Sequence, residues 1–236
     1  MRVVVLPVVQ CGSLVVSFVN SLQPHPPALP LSLTLTPTPS ATQSDRYNPG
    51  TMMKHKWENA FTLDKSSWGF NRDSSLSNYL TREELLHEVV STVAYGGNCL
   101  INVGPTADGR IVPVFRERLS QLGAWLDAHG EAVYATRPCP RHQNDTLTPE
   151  VFFTCSFSDE RLVRYVTFFH WPLDGLRLGS LSVCPPKEGV TFLSAGGKII
   201  VPCAEEKGRI RIDVQSLGSV LLKAGMAGPW TLKFQY

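Results

Sequence analysis

The first 44 residues almost lack charge. Of the 42 charged residues in the 236-residue chain, only Arg2 precedes Asp45, whereas eight of the 18 prolines fall within the first 50 positions. The apolar run behind Arg2 is interrupted by proline, glycine and polar residues, and a membrane-spanning helix needs about 20 largely continuous apolar residues. We therefore predict no membrane span. Arg2 followed by an apolar run is also the layout of a secretory signal peptide, but no clean cleavage site follows Val19, so this interpretation stays open.

Between this run and Asp45 the chain is rich in Pro, Ser, Thr and Leu and shows neither helical period nor strand alternation. Such composition favours extended or unfolded backbone. The first predicted segment, residues 1–44, is therefore a leader that does not fold and carries no chemistry.

The sequence also lacks a strong net charge and any recognisable metal motif. A formal net charge of +2 gives no field that would favour nucleic acid as a partner. The six cysteines form no CxxC pair and have no histidine at zinc-ligand spacing, so we expect neither a metal site nor a cofactor. We also expect the cysteines to form no disulfide framework, because a chain of this size can bury a core without one. A bridge between Cys184 and Cys203 across two strands is left open.

Residues 45–138 have the alternation of an α/β domain. Thr81 and Glu84 have the spacing of a capping box, and apolar residues recur behind them at helical spacing as far as a Gly-Gly stop. The run Asn98 to Val103 predicts a buried strand, and residues 112–129 predict a second helix. Because one strand cannot make a parallel sheet and a (β/α)₈ barrel needs about 200 residues or more, this segment is predicted to be part of a larger domain. Such a fragment would leave a sheet edge uncovered.

Residues 139–236 are different, because short β-rich runs follow one another without a helical period. The runs are VFFTCSF, RLVRYVTFFHW, LRLGSLSV, VTFLSA, KIIVPC, RIRIDV and SVLLKA, separated by Gly, Pro or Asp turns. This spacing is typical of an antiparallel β-sandwich. The predicted fold class is therefore α/β plus all-β, with the boundary between residues 138 and 145.

Several linked motifs in this chain resemble those of the α-L-fucosidases, glycoside hydrolase family 29, of the animal tissue and plasma type. The strings that carry the resemblance are HKWEN at 55–59, TLD at 62–64, SWGF at 67–70, GGNCLINVGPT at 96–106, F-x-ERL at 115–119, WL at 125–126, GEA-x-Y at 130–134 and HWP at 170–172. They occur in the family's order and cover about four-fifths of the chain, from Asp45 to Tyr236.

The resemblance implies a catalytic barrel followed by a β-sandwich, and retaining hydrolysis of α-L-fucose from glycoconjugates. Retaining hydrolysis uses two carboxyl groups about 5 to 5.5 Å apart, one as nucleophile and one as general acid/base. The family's nucleophile is an aspartate in an upstream segment that these 236 residues do not contain. Glu58 matches the glutamate commonly assigned as acid/base, and an indole beside it would desolvate the acid and raise its pKa. The alternative for Glu58 is a solvated surface carboxylate.

The other candidate site residues are predicted to contact substrate. Trp57, Trp68 and Phe70 are candidates for the apolar wall of a sugar site, with core packing as the alternative. Asn102 lies at the carboxyl end of the predicted strand, where barrel chemistry collects, and its alternative is a polar residue that holds the following loop. A second acidic residue, Asp64, is expected to be a turn or cap residue.

Asn144 begins an N-D-T sequence, the acceptor for N-linked glycosylation, provided the chain enters the secretory route. The resemblance implies a lysosomal or secreted protein whose partners are fucosylated glycans or glycoproteins.

We expect the chain to be inactive on its own, because the nucleophile is missing. Homo-oligomerisation or association with a full-length enzyme is an open possibility. Two further alternatives remain. The first is a non-catalytic sandwich module that binds glycan or the full-length enzyme, although its tryptophans, Trp171 and Trp230, lie in strand-like runs that favour core packing. The second is that the leader reflects an alternative or misassigned start, so that the protein is longer and fully catalytic.

Overall fold

The computed structural model describes residues 45–158, 161–186, 189–194, 197–218 and 227–236, together with the backbone of two short strands nearer the amino terminus. The strands are β1 (Val4–Leu6), β2 (Leu14–Phe18), β3 (Glu58–Thr62), β4 (Asn98–Val103), β5 (Arg137–Pro138), β6 (Val151–Ser158), β7 (Arg161–Phe168), β8 (Leu176–Leu178), β9 (Val190–Ser194), β10 (Gly197–Ile200), β11 (Cys203–Glu206), β12 (Arg209–Ile212) and β13 (Trp230–Gln235). The helices are α1 (Arg82–Ala94) and α2 (Pro113–His129), with 3₁₀ turns at Leu76–Asn78, Gly130–Ala132 and Gln215–Leu217.

The first sheet has the order β1-β2-β4-β3. Strands β3 and β4 are parallel, with Glu58 opposite Asn98 and Thr62 opposite Asn102. The sequence predicts β4 with its observed bounds but misses β3, so the expectation of one strand in this segment is wrong. The connection between the two strands carries α1, as in a β-α-β unit.

The leader contributes to this sheet. Strand β2 pairs antiparallel with β4, with Leu14 opposite Val103 and Phe18 opposite Cys99, and β1 pairs with β2. The expectation that residues 1–44 do not fold is therefore wrong for these two strands, and the expectation of an uncovered edge is wrong at β4. The rest of the leader lies outside the described residues.

Helix α1 begins as the sequence predicts. The Thr81 side chain accepts a hydrogen bond from the Glu84 backbone N–H, and the Glu84 carboxylate accepts one from the Thr81 N–H, so the capping box is confirmed. Helix α2 begins with Pro113 in its first turn, where a missing N–H costs nothing. Both helices bury their apolar faces in one hydrophobic cluster with β3 and β4, which includes Leu85, Val89, Phe115 and Trp125.

The carboxyl-terminal part is a β-sandwich. A six-stranded sheet, β10-β9-β13-β7-β6-β5, faces a three-stranded sheet, β11-β12-β8. Phe153, Phe192 and Phe234 from the larger sheet share a core with Leu178 and Ile210 from the smaller one. The predicted run KIIVPC is two strands, because Pro202 between them has no N–H to pair. The predicted run SVLLKA lies outside the described residues.

Two disulfides strengthen the sandwich. Cys184 and Cys203 are bridged, as the sequence allows, and Cys139 and Cys155 are bridged as well. The expectation that the cysteines form no framework is therefore wrong, because pairing depends on strand positions that spacing does not reveal. Among the cysteines of the described part, Cys99 is free and buried.

The helices pack against the sandwich through polar contacts as well as apolar ones. The Trp125 indole N–H donates to the Pro229 carbonyl at 2.8 Å, and Arg82 donates to the Ala227 carbonyl at 3.2 Å. Lys233 of β13 forms a 2.9 Å ion pair with Glu131. Within the described ranges, no helix combines the length and the apolarity required to cross a bilayer.

Candidate active-site edge

The parallel pair β3 and β4 has two distinct ends. Ligands of α/β sheets bind outside the carboxyl ends of the strands, where the loops that follow each strand converge. Thr62 and Asn102 lie at this carboxyl-terminal edge, whereas Glu58 and Asn98 lie at the amino-terminal edge. Four residues along a strand separate the two edges by about 13 Å.

Glu58 therefore does not share an edge with Asn102. The Asn98 side chain donates a hydrogen bond to the Glu58 carboxylate, so the two residues tie the amino-terminal ends of the two strands together. Glu58 as the acid/base stays a prediction, and this position counts against it. Although Glu58 follows Trp57 directly in the sequence, the two side chains do not form the expected sugar site.

Trp57 is a core residue. Its side chain is only 2% exposed, and its indole N–H donates to the Tyr95 carbonyl at 3.3 Å. The ring packs so closely on Gly97 that a Cβ there would lie 2.5 Å from the indole. These contacts favour the core-packing alternative for Trp57, and its contact with substrate stays a prediction.

Asn102 holds the loop that follows β3. Its buried side-chain amide donates to the Trp68 carbonyl at 2.7 Å and to the Thr62 hydroxyl at 3.2 Å. At the end of β4, Gly104 touches the same loop, since a Cβ there would lie 2.5 Å from the backbone of Gly69 and Phe70. Asn102 thus acts at the carboxyl-terminal edge by positioning Trp68. The loop that it holds follows β3, whereas the expected alternative named the loop that follows β4.

Trp68 and Phe70 lie on the surface of this loop, and each is 37% exposed. The Trp68 indole N–H donates to the Asp45 carboxylate at 2.9 Å. A large aromatic face and a carboxylate therefore meet at the carboxyl-terminal edge. The sequence identifies both aromatic residues but not Asp45, because nothing in the spacing links positions 45 and 68.

The segment that begins with Asp45 is fixed along β3. The Arg46 backbone N–H donates to the Ala60 carbonyl at 2.9 Å, and the Arg46 guanidinium donates to the Asp64 carbonyl at 2.7 Å. Arg46 has a φ of 57°, which is uncommon for a residue other than glycine. These contacts place the Asp45 side chain beside Trp68.

Asp64 is the other carboxylate at this edge, and it has a structural role. It is buried, and it accepts hydrogen bonds from the Ser66 N–H at 2.8 Å, the Ser66 hydroxyl at 2.6 Å and the Ser74 hydroxyl at 2.5 Å. Burial alone would raise the pKa of Asp64, but these hydrogen bonds together lower it. Its oxygens are therefore occupied, and the expectation of a turn residue is confirmed.

The acceptor asparagine for glycosylation lies on the sandwich, away from this edge. Asn144 is exposed, and the following Asp145 is buried. The Asp145 carboxylate accepts hydrogen bonds from the backbone of Leu147, Thr148 and two residues of the loop after β8. The acceptor is therefore held at the surface in a fixed loop. Within the described residues, no group of three or more His, Cys, Asp or Glu side chains is placed to hold a metal ion.

Comparison with known proteins connects this architecture to one family. Residues 34–131 match the family model described as Alpha-L-fucosidase. The chain is 54% identical to plasma alpha-L-fucosidase of Homo sapiens over 134 residues, which cover 57% of this chain and 28% of that protein. It is 37% identical to tissue alpha-L-fucosidase of Homo sapiens over 189 residues, which cover 80% of this chain and 39% of that protein.

A solved structure agrees with these matches. The alpha-fucosidase of Thermotoga maritima in complex with fucose superimposes with a TM-score of 0.60 at 27% identity, covering 77% of this chain and 40% of that one. The chain thus spans well under half the length of the relatives that it matches.

Proposed function

We propose that this chain, a partial member of the alpha-L-fucosidase family, carries one wall of a site for retaining hydrolysis of α-L-fucosides. The observation that carries the proposal is the Asp45 carboxylate, held by the Trp68 indole at the carboxyl-terminal edge of β3 and β4. In this proposal, residues 45–138 are part of a larger barrel, and the sandwich of residues 139–236 follows them in the chain.

Asp45 is the carboxylate best placed for acid/base chemistry at this edge. Asp64 has its oxygens occupied by Ser66 and Ser74, and Glu58 lies at the opposite edge. A general acid must reach the glycosidic oxygen before it can donate a proton.

Trp68 and Asn102 have supporting roles in this proposal. The Trp68 indole orients Asp45 and presents an exposed aromatic face to the sugar, while Phe70 extends the apolar surface. Asn102 fixes the Trp68 backbone from the end of β4. We assign Asn102 a positioning role rather than contact with substrate.

The isolated 236-residue chain is expected to be inactive. Retaining hydrolysis requires a nucleophilic carboxylate about 5 to 5.5 Å from the acid/base, and the resemblance places that nucleophile in a segment that these residues do not contain. Substrate therefore meets one wall of the site without the group that attacks the anomeric carbon.

The assay is release of a fluorescent phenol from an aryl α-L-fucoside. The purified chain should give no more product than its Asp45→Asn variant, whereas a chimera in which residues 45–236 replace the matching segment of human plasma alpha-L-fucosidase should be active. Hydrolysis by the isolated chain that Asp45→Asn abolishes would overturn the proposed inactivity. An inactive but folded chimera would overturn the proposed site.

The proposal includes a lysosomal or secreted location for this chain. The relatives are named plasma and tissue enzymes, and two disulfides are typical of proteins in an oxidising compartment. The alternative of a sugar-binding module based on exposed aromatic residues has less support. Trp171 and Trp230 pack on each other at 5.0 Å and on Phe168, so they do not form a free platform.

A further inference from the structure

One arginine of the sandwich occupies an inward-facing position. On β7, residues Leu162, Arg164, Val166 and Phe168 share one face because side chains alternate along a strand. Leu162, Val166 and Phe168 all pack in the core between the two sheets. Across the sheet, Arg164 lies opposite Cys155 on β6 and Phe234 on β13, which are both fully buried in the same core.

A guanidinium in this position needs a partner. Removing a charge from water is unfavourable unless ion pairs or hydrogen bonds replace the lost hydration. The Arg164 Nε is buried and has no hydrogen-bond partner among the described residues. The six ion pairs found in the described part of the chain do not include Arg164. The guanidinium lies 5.8 Å from the centre of the Tyr236 ring. Burial raises the pKa of Tyr236, while the charge of Arg164 and its hydrogen bond to the Tyr236 side chain act to lower it.

The guanidinium lines a cavity of about 280 Å³ at the end of the sandwich. The other polar residues that line it are Arg141, His142, Ser180, Ser182 and Tyr236, and its lining also includes leucine and valine residues. Among the described residues, no carboxylate side chain lines the cavity. Arg141, like Arg164, makes no ion pair in the described residues and has a φ of 72°, a strained conformation for a residue other than glycine. Two guanidinium groups and several hydroxyls of the described residues therefore line one space.

We infer that this cavity binds a small oxyanion, a sulfate or phosphate group carried by a saccharide or free in solution. Guanidinium groups donate paired, charge-assisted hydrogen bonds to such anions, and these bonds are about twice as strong as neutral ones. A volume of about 280 Å³ accommodates an oxyanion with one sugar ring attached and is below the range of drug-sized pockets. This site is separate from the carboxyl-terminal edge of β3 and β4 and does not depend on the proposed hydrolysis.

Calorimetric titration of the full 236-residue chain tests the site with four probes: inorganic sulfate, inorganic phosphate, galactose 6-sulfate and galactose. We expect the anions to bind and galactose not to bind. Tight binding of galactose 6-sulfate with weak binding of both inorganic ions identifies a saccharide ligand, and the reverse order identifies a free ion. Both orders support the oxyanion site. Equal binding of galactose and galactose 6-sulfate, or binding of none of the four probes, would overturn it.

Two substitutions separate a binding role of Arg164 from a structural one. Arg164→Met removes the charge, so we expect the affinity for the anions to fall roughly tenfold or more. We also expect a higher free energy of unfolding in anion-free buffer. Arg141→Asn, which tolerates the positive φ, should weaken binding with little change in folding. The control Arg177→Gln alters an exposed arginine of β8, on the smaller sheet, and should leave binding unchanged. Unchanged anion affinity in both Arg164→Met and Arg141→Asn would show that the cavity is not the site.

Discussion

The indole N–H of Trp68 donates a 2.9 Å hydrogen bond to the carboxylate of Asp45, 23 positions earlier in the chain. This contact defines which end of the β3–β4 pair carries the candidate site. It also joins Trp68, which the sequence motifs identify as a candidate, to Asp45, which they do not identify. The carboxylate, the aromatic face and the positioning amide of Asn102 then lie on one edge.

Asn102 should contribute more to stability than Trp68. Asn102→Ala removes two hydrogen bonds from a buried amide and leaves the Trp68 carbonyl without its partner, so we expect a loss of about 2 kcal/mol in the free energy of unfolding. Trp68→Phe removes one exposed hydrogen bond and should cost about 1 kcal/mol or less. Urea denaturation of both variants gives the comparison. A larger loss for Trp68→Phe would contradict the positioning role of Asn102.

Stability should fall between about pH 6.5 and pH 4 because of His129. The ring is buried and stacks on Trp125 at 5.1 Å, and burial, with a smaller effect of Arg82, lowers the pKa of His129 from 6.5 to about 4. The unfolded chain therefore binds a proton through this interval that the folded chain does not bind, and the folded state loses stability as the pH falls. The loss is at most about 3 kcal/mol.

Urea midpoints measured between pH 7 and pH 4 test this prediction. His129→Leu should flatten the dependence, whereas the exposed His55→Gln should leave it unchanged. Asp64, whose pKa lies below its ordinary value of 3.8, contributes stability above that value and loses it at still lower pH. An unchanged slope in His129→Leu would show that another group is responsible.

The two disulfides should differ in their response to reductant. Cys139 and Cys155 are fully buried, whereas Cys184 and Cys203 are partly exposed. Mild reduction of the folded chain should therefore open the second bridge first, as alkylation and mass spectrometry of the two sites would show. The paired variant Cys139→Ala/Cys155→Ala should lose about 3 kcal/mol of stability for a loop of this length. Simultaneous reduction of both bridges in the folded state would contradict the burial argument.

Asn144 should gain an N-linked glycan when the chain is expressed through a secretory route. The side chain is exposed on a loop that the buried Asp145 carboxylate holds in place, so the acceptor is accessible without unfolding. Thr146→Val should abolish the mass increase, while Thr148→Val leaves the acceptor sequence intact and should retain it. A chain without glycan in both variants and in the wild type would show that the site is not used.

Local sequence features predicted part of this fold, and long-range pairing determined the remainder. Thr81 and Glu84 are three residues apart, so the capping box could be identified directly. Strand β3 could not, because its pairing with β4 joins residues 40 positions apart, such as Glu58 and Asn98. The bridge from Cys139 to Cys155 was missed for the same reason, since it depends on how strands β5 and β6 pair.

The candidate site shows the same division. Trp68, Phe70 and Asn102 could be identified from motifs, and the structure places them at one edge. The sequence does not reveal that Glu58 begins its strand and Asn102 ends the neighbouring one, so the predicted set combined residues from opposite edges. Asp45 was missed because its link to Trp68 arises only when Arg46 lies along β3.

The role of Asp45 is tested most directly in the chimera in which residues 45–236 replace the matching segment of human plasma alpha-L-fucosidase. We predict that Asp45→Asn lowers kcat for an aryl fucoside by about 10² to 10⁴, the usual range for general acid/base catalysis. Added azide should restore part of the rate by replacing the base-assisted water. Glu58→Gln should stay within about tenfold of the parent chimera. A loss of that size with azide rescue in Glu58→Gln, and an active Asp45→Asn, would contradict the assignment.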